Sequence, residues 1–523
     1  MSAPTGPFTG TGALVRLALR RDRLMLPLWI LVVGGMVASG AGSLEALYDT
    51  PARRAGLAAS MTANRSMRSL YGPVFGDSTG ALVAWRFAAF AAVLAAVMSL
   101  VVVVRHTREE EETGRQDMLS SARVGRRAPL TAALLTAFAA DAALALVVTA
   151  GLSGEGAAGA LALGLAVGGT GMVFATTAAV VAQFTGSARL AKGLTAALLG
   201  LAFVLRAAGD TGGSRTLTWA SPVGWAQNVR AFAGERWWVL LLMAAAVAVQ
   251  GAVAYALAGR RDVGMGFLPA RPGPAAGRIS TAGGLARRLQ RGGLLGWTLG
   301  FLMAGVVLGG MVEGAGDLVG GSERTRQVLE RMGGQADPED TFLAALVGLF
   351  GMVAALYVVG SVLRLYGEET SLHAEPVLAA AVGRLRWAAG HLVVAFGGAV
   401  ALMAAAAAGL ALGYGRDGAP VLGAALAQLP AVWVLGGVAV LLHGALPKAA
   451  PAAWGVAGLC VALGWIGPAL DLPRPVLDLS PYGHLPKLPG AEMAWAPVLL
   501  LTALAAALVA AGLAGLRRRD VLT

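Results

Sequence analysis

Apolar runs of about twenty residues, separated by short polar loops, recur along this 523-residue chain and leave it essentially one kind of fold. A helix rises 1.5 Å per residue, so each run matches the ~30 Å thickness of a bilayer's hydrocarbon core. Lipid offers the backbone no hydrogen-bond partner, so segments of that length must satisfy their own amides as helices. The strict alternation of a barrel strand is absent. Composition agrees: 57% of the residues are hydrophobic and 13% charged, against roughly a quarter charged in soluble domains. The expected fold class is an all-α integral membrane protein with twelve transmembrane helices, arranged as two parallel six-helix repeats.

Hydropathy places the first six spans near 24–42, 83–104, 128–150, 157–182, 194–208 and 237–258. The second six fall near 294–313, 342–363, 387–412, 420–443, 452–470 and 494–516. With the N-terminus inside, the inner loops carry twice as many Lys and Arg as the outer ones, although the outer segments are on the whole longer. The positive-inside rule then puts both termini in the cytoplasm. The net charge of +12 is read as this topology signal, since the basic residues form no single face or tail for nucleic acid. The start could pass for a signal peptide, but its apolar part is long enough to span and many spans follow, so an uncleaved first helix is expected. Ahead of it, "GTGALVRLALRRDR" (10–23) sets Leu14, Leu17 and Leu19 among arginines, the pattern of a membrane-surface helix, echoed at 284–295. The Gly/Pro-rich segment 263–283 reads as a flexible cytoplasmic linker between halves 1–262 and 284–523. One cysteine, Cys460, allows neither a disulfide nor a metal cluster.

Four landmarks recur in order. Glu111-Glu112-Thr113 matches Glu368-Glu369-Thr370 at an offset of 257, and "VGR" at Val124 matches Val382 at 258. "SPVGW" at Ser221 matches "SPYGH" at Ser480 at 259, and "RRDV" at Arg260 matches Arg518 at 258. The chain reads as a fused duplication, and because six spans is an even number both copies share one orientation. The first landmark lies in "RHTREEEETGRQDMLSSARVGRR", which holds six arginines and five acidic residues in 23 positions. Pairs at i, i+4 (Arg105 with Glu109, Arg108 with Glu112, Glu111 with Arg115) would contribute only ~0.3–0.5 kcal/mol each. Topology alone would explain the arginines but not the acids, which contribute little to it. A solvated docking surface explains both, with a span projecting past the bilayer, a turn, and a short helix. That helix is "MLSSAR" in one copy and, behind Glu375 and Pro376, "PVLAAA" in the other.

These stretches resemble the coupling segments of ABC type-2 exporter permeases, most of all the fused twelve-span actinobacterial group described as exporters of polyketide antibiotics. The resemblance covers the whole chain, from the amphipathic start to "RRRDVLT". It implies that Glu111, Glu112, Gly114, Asp117 and Arg126 form one coupling element, and Glu368, Glu369, Glu375 and Arg384 the other, with Ser371 standing in place of the glycine. It also implies cytosolic ATP-binding subunits, two copies, as partners. The chain has no G-x-x-x-x-G-K-[S/T] phosphate loop, so ATP and Mg are expected on those subunits, with no cofactor, catalytic residue or metal here. The expected role is export of antibiotics, drugs or other hydrophobic small molecules across the bacterial cytoplasmic membrane.

Ionisable residues inside spans are functional candidates by default. Asp141 lies mid-span, and Arg86 and Arg206 lie toward outer ends; all three are candidates for the translocation pathway, with an interhelical structural pair as the alternative for Asp141. A proton-coupled secondary transporter, with Asp141 as its titrating group, is the rival function. His391 and His443 are expected near the bilayer interface, as are Trp225, Tyr482 and His484 beside the Ser-Pro elbows.

Overall fold

The structure, a computed structural model, describes residues 6–520 apart from 64, 117–123, 263, 269–276, 278, 311, 313–337, 416–417 and 466–472. Asp117 and the "MLSSAR" segment therefore lie outside the described residues. Those described contain helices and no strand, in two compact units, Met1–Pro272 and Gly273–Thr523. Among the described residues, eleven helices are long and apolar enough to cross a bilayer, six in the first unit and five in the second. The shorter apolar helix Ala452–Trp465 begins where the eleventh span was expected, and its expected continuation to 470 is not described.

In the first unit the core helix is Ala157–Phe184, packed against Thr79–Arg105, Ala128–Gly151 and Trp238–Ala258. Small residues make this possible. Gly164, Gly168 and Gly171 recur at helical spacing and lie against Ala128–Gly151; a Cβ on Gly164 would stand 2.3 Å from Thr149 Oγ1, and one on Gly168 2.8 Å from the Asp141 carbonyl. Where lipid gives no hydrophobic drive for association, such close approach supplies it through van der Waals contact. The leading segment forms its own helix, Thr11–Arg21, as the pattern of leucines and arginines predicts.

In the second unit Ala282–Gly309 and Arg384–Tyr414 make the most intimate pair. Their contact uses "GVVLG" (305–309) against "GLALG" (409–413), two G-x-x-x-G faces meeting each other. A Cβ on Gly409 would lie 2.3 Å from the Leu302 carbonyl, and one on Gly413 2.1 Å from that of Val306. Here the basic segment 284–295 is not a separate surface helix. It is continuous with the span, in one 28-residue helix whose first turn is capped by Thr281 Oγ1 accepting from the Gly284 amide at 3.1 Å. The span expected at 420–443 is broken at Gln428 into Gly418–Ala427 and Leu429–Ala445, just ahead of Pro430, which cannot donate a helix hydrogen bond.

Candidate functional site

The charged stretch after Thr79–Arg105 folds as the short helix Arg108–Glu112. Its acids do not pair along the helix at i, i+4 as expected. Instead Glu111 pairs with Arg108 three residues before it and with residues far away in sequence. The Glu111 carboxylate, 5% exposed, takes Arg261 Nη2 at 2.6 Å on Oε1 and Arg261 Nη1 at 2.9 Å on Oε2. Oε2 also accepts from Arg108 Nη1 at 2.7 Å and from the Gly264 amide at 3.1 Å. Arg261 is fixed in turn, its Nε donating to Gln183 Oε1 at 2.6 Å and its carbonyl accepting from Arg126 Nη2 at 2.8 Å. The fully buried Arg108 also donates to the carbonyls of Ala182 and Met265. Those of residues 182–184 end the core helix, so the guanidinium caps carbonyls at the negative end of its dipole. One buried clamp thus joins the second span, the core helix and the end of the sixth span.

The second unit builds the same clamp. Glu369, with its side chain fully buried, accepts from Arg519 Nη2 at 2.9 and 3.1 Å, and Arg384 donates to the Arg519 carbonyl. Glutamate and arginine are 150 residues apart in both units, and the two arginines 135 apart in both. Two positions distinguish the clamps. Tyr366 stands 258 positions after Arg108, and His443 Nε2, 3.5 Å from Glu369 Oε1, fills the role that Gln183 plays beside Arg261.

This geometry shifts the pairing of the acids by one residue: Glu111 corresponds to Glu369, not Glu368. The turn that follows agrees. Gly114 has φ +71° with its amide on the Glu111 carbonyl, and Leu372 has φ +62° with its amide on that of Glu369. Leu372, not Ser371, thus takes the place of the glycine. A leucine in the left-handed region costs ~1–2 kcal/mol, partly offset by the ~0.5–1 kcal/mol of extra freedom glycine has in the unfolded chain. Leu372 is half exposed, so Leu372→Gly is expected to raise stability by about 0.5–1 kcal/mol. A lowered thermal midpoint would contradict that.

The remaining expected site residues divide into outward and inward groups. Glu112 is exposed and accepts the Ala188 amide at 3.0 Å, capping the N-terminus of Ala188–Gly212. Arg126 is exposed, while Arg384 is partly buried. Glu368 lies 3.3 Å from Arg364, and exposed Glu375 sits in the first turn of the short helix Ala374–Ala379, which starts two residues before Pro376. Arg86 is exposed near the start of its helix, 5.8 Å from the Phe87 ring. Arg206 is buried, donating to the carbonyls of Ser69 and Leu70 at 2.7 and 2.8 Å, with Asp210 at 3.8 Å. Asp141 is enclosed by three helices: Ser99 Oγ donates to its Oδ2 at 2.7 Å, and a Cβ on Gly171 would meet Oδ1 at 2.1 Å. Both ionisable groups are thus held by their own unit's packing. We expect Asp141→Asn, which preserves the Ser99 contact, to leave transport unchanged; loss of transport in a folded variant would favour the proton-coupled rival.

Sequence reasoning missed Arg261, Arg519 and His443 as clamp members. "RRDV" was visible as a landmark at an offset of 258, one more than the 257 read for the glutamates, and those near-equal offsets were the available signal. His391 and His443 are both buried within their unit, His391 with its Nδ1 3.0 Å from Gln290 Nε2. Among the described residues, no three His, Cys, Asp or Glu side chains gather as a metal site would require.

The described residues form a multi-span helical membrane protein with a buried charged clamp in each unit, and comparison makes its class specific. The family described as "Multidrug efflux system permease Rv1217c, C-terminal domain" matches residues 279–517. The chain is 45% identical, over 526 residues, to the multidrug efflux system permease protein Rv1217c of Mycobacterium tuberculosis (strain ATCC 25618 / H37Rv), covering 98% of this chain and 96% of that relative. The chain belongs to this family of multidrug efflux permeases.

Proposed function

We propose that this chain is the membrane subunit of an ATP-driven ABC exporter that moves drugs, antibiotics or other hydrophobic small molecules out of the cell. A fused duplication supplies both halves of the pathway, 1–262 and 284–523, in the bacterial cytoplasmic membrane with both termini inside. Two cytosolic ATP-binding subunits bind ATP and Mg and press on the two exposed segments. The pair of buried clamps carries this reading. Each anchors the root of an exposed, charged segment to the end of its unit's last span, so a push on the segment moves spans instead of bending a loop. Buried Glu111 and Glu369 are then the internal anchors. Glu112, Gly114 and Arg126 in one copy, and Glu368, Glu375 and Arg384 in the other, form the surface that meets the ATPase, together with Asp117. The similarity to a multidrug efflux permease supports the substrate class.

The test is co-purification with a cytosolic ATPase from the same host. Glu112→Lys with Glu375→Lys reverses charge at two exposed positions and leaves both clamps intact. The double variant should lose no more than the ~0.5–2 kcal/mol that goes with the helix cap Glu112 provides and stay folded at assay temperature, yet lose the complex. A complex retained at wild-type yield sinks the docking assignment.

A further inference from the structure

Beside the first coupling segment lies a cavity of about 260 Å³. Leu14, Leu17 and Ala18 of the surface helix and Pro129, Ala132 and Ala133 of the third span give it apolar walls, while Arg21, His106, Glu110, Arg115 and Gln116 give it one polar side. A second, more open cavity of about 430 Å³ adjoins it, lined by Val101, Thr113, Arg105, Lys192 and Glu109, and again by Arg21 and Arg115. The two spaces meet at these arginines, one apolar and one cationic.

Every cation in the mouth already has a carboxylate, but there are too few carboxylates. Arg21 and Arg115 share Glu110, Arg105 lies 2.6 Å from Asp22, and Lys192 lies 3.0 Å from Glu109. Four cations therefore face three acids. Burial, and next the nearby guanidiniums of Arg105 and Arg115, lower the pKa of Arg21, so a further anion would be welcome. The place also favours an amphiphile. Leu17 and Leu19 are exposed on the surface helix, and Leu24, Leu28 and Leu31 continue that apolar exposure into the first span.

We propose that this paired cavity binds one anionic phospholipid, its phosphate between Arg21, Arg115 and Lys192 and an acyl chain against Leu14, Leu17 and Ala133. The proposal rests on the membrane-surface placement of this end in the reading above, but not on an ATPase partner. A bound headgroup would draw Arg115, one position past Gly114, toward the surface helix and so tether the coupling segment to the membrane.

Native mass spectrometry of the detergent-purified full chain, titrated with phosphatidylglycerol, phosphatidylcholine or inorganic phosphate, tests this without any ATPase. One tightly held phosphatidylglycerol is expected, with phosphatidylcholine and free phosphate much weaker. Arg115→Gln with Lys192→Gln, both at partly exposed side chains, should weaken that binding about tenfold or more. Arg16→Gln with Arg20→Gln removes the same charge from exposed positions of the surface helix Thr11–Arg21 that line neither cavity, and should leave binding unchanged. Equal weakening by the two pairs would reduce the effect to general surface charge and overturn the site. Equal binding of phosphatidylcholine, or free phosphate binding as tightly as the lipid, would overturn it as well.

Discussion

Glu111→Gln is expected to lower the stability of the first unit by about 3–5 kcal/mol, the range for removing one partner of a buried ion pair. The size follows from what is left behind. Arg108 is fully buried and Arg261 nearly so, and both direct guanidinium nitrogens at the Glu111 carboxylate. The neutral amide still fills the space, but two buried cations lose their counter-charge. Their bonds to the carbonyls of Ala182 and Met265 and to Gln183 soften the loss without cancelling it. Glu369→Gln should cost less, since it strands one guanidinium, that of Arg519, instead of two. A thermal midpoint measured on the purified chain gives both values. A double variant, Glu111→Gln with Arg261→Gln, should recover part of the loss, because the pair is one interacting unit. Strict additivity would mean the clamp is not an energetic unit.

Gly409→Val should be at least as damaging, for a steric reason. The added carbons would enter space occupied by the backbone of the facing helix: Leu302 O at 2.3 Å, with Gly305 Cα and Val306 N at 2.9 Å. Backbone cannot swing aside as a side chain can, so the two helices must separate and lose the contact that holds them in lipid. Overpacking costs typically ~1–3 kcal/mol and more where relaxation is blocked. Gly397, on the same helix, faces open space, with no atom within 4 Å of its would-be Cβ, so Gly397→Val is the control. The chain's single cysteine offers a direct readout, because Cys460 is buried in the same unit. A thiol-reactive dye should label it at a lower temperature in Gly409→Val and at the wild-type temperature in Gly397→Val. Identical labelling of the two variants would contradict the packing account.

These two sites show which parts of the structure the residues disclose. Spans were legible because their signal is local: a bilayer fixes the length and lipid fixes the polarity. The charged stretch was legible as something unusual, and its return later in the chain marked it as important. Its chemistry was not. Charges at i, i+4 invite a reading of local pairs and a solvated face, whereas Glu111 finds Arg261 across 150 residues. Nothing between those positions encodes the meeting except the common offset of the repeated landmarks. The same limit explains the one-residue slip. Identity of letters pairs Glu111 with Glu368, but burial and the left-handed turn pair it with Glu369. His443 sits near a helix end, and only packing shows that its ring faces the clamp. Similarly, Asp141 stood out as a charge at membrane depth, while the partner it meets there, Ser99, is an ordinary residue of another span.

The central claim is that export is driven by ATP through the two exposed segments. Its most direct measurement is drug transport in proteoliposomes holding the purified chain, with and without its co-purified ATPase. The account predicts transport that requires both the ATPase and ATP, that survives collapse of the proton gradient, and that disappears in the Glu112→Lys, Glu375→Lys variant. Transport by the chain alone, abolished when the proton gradient is collapsed, would contradict it.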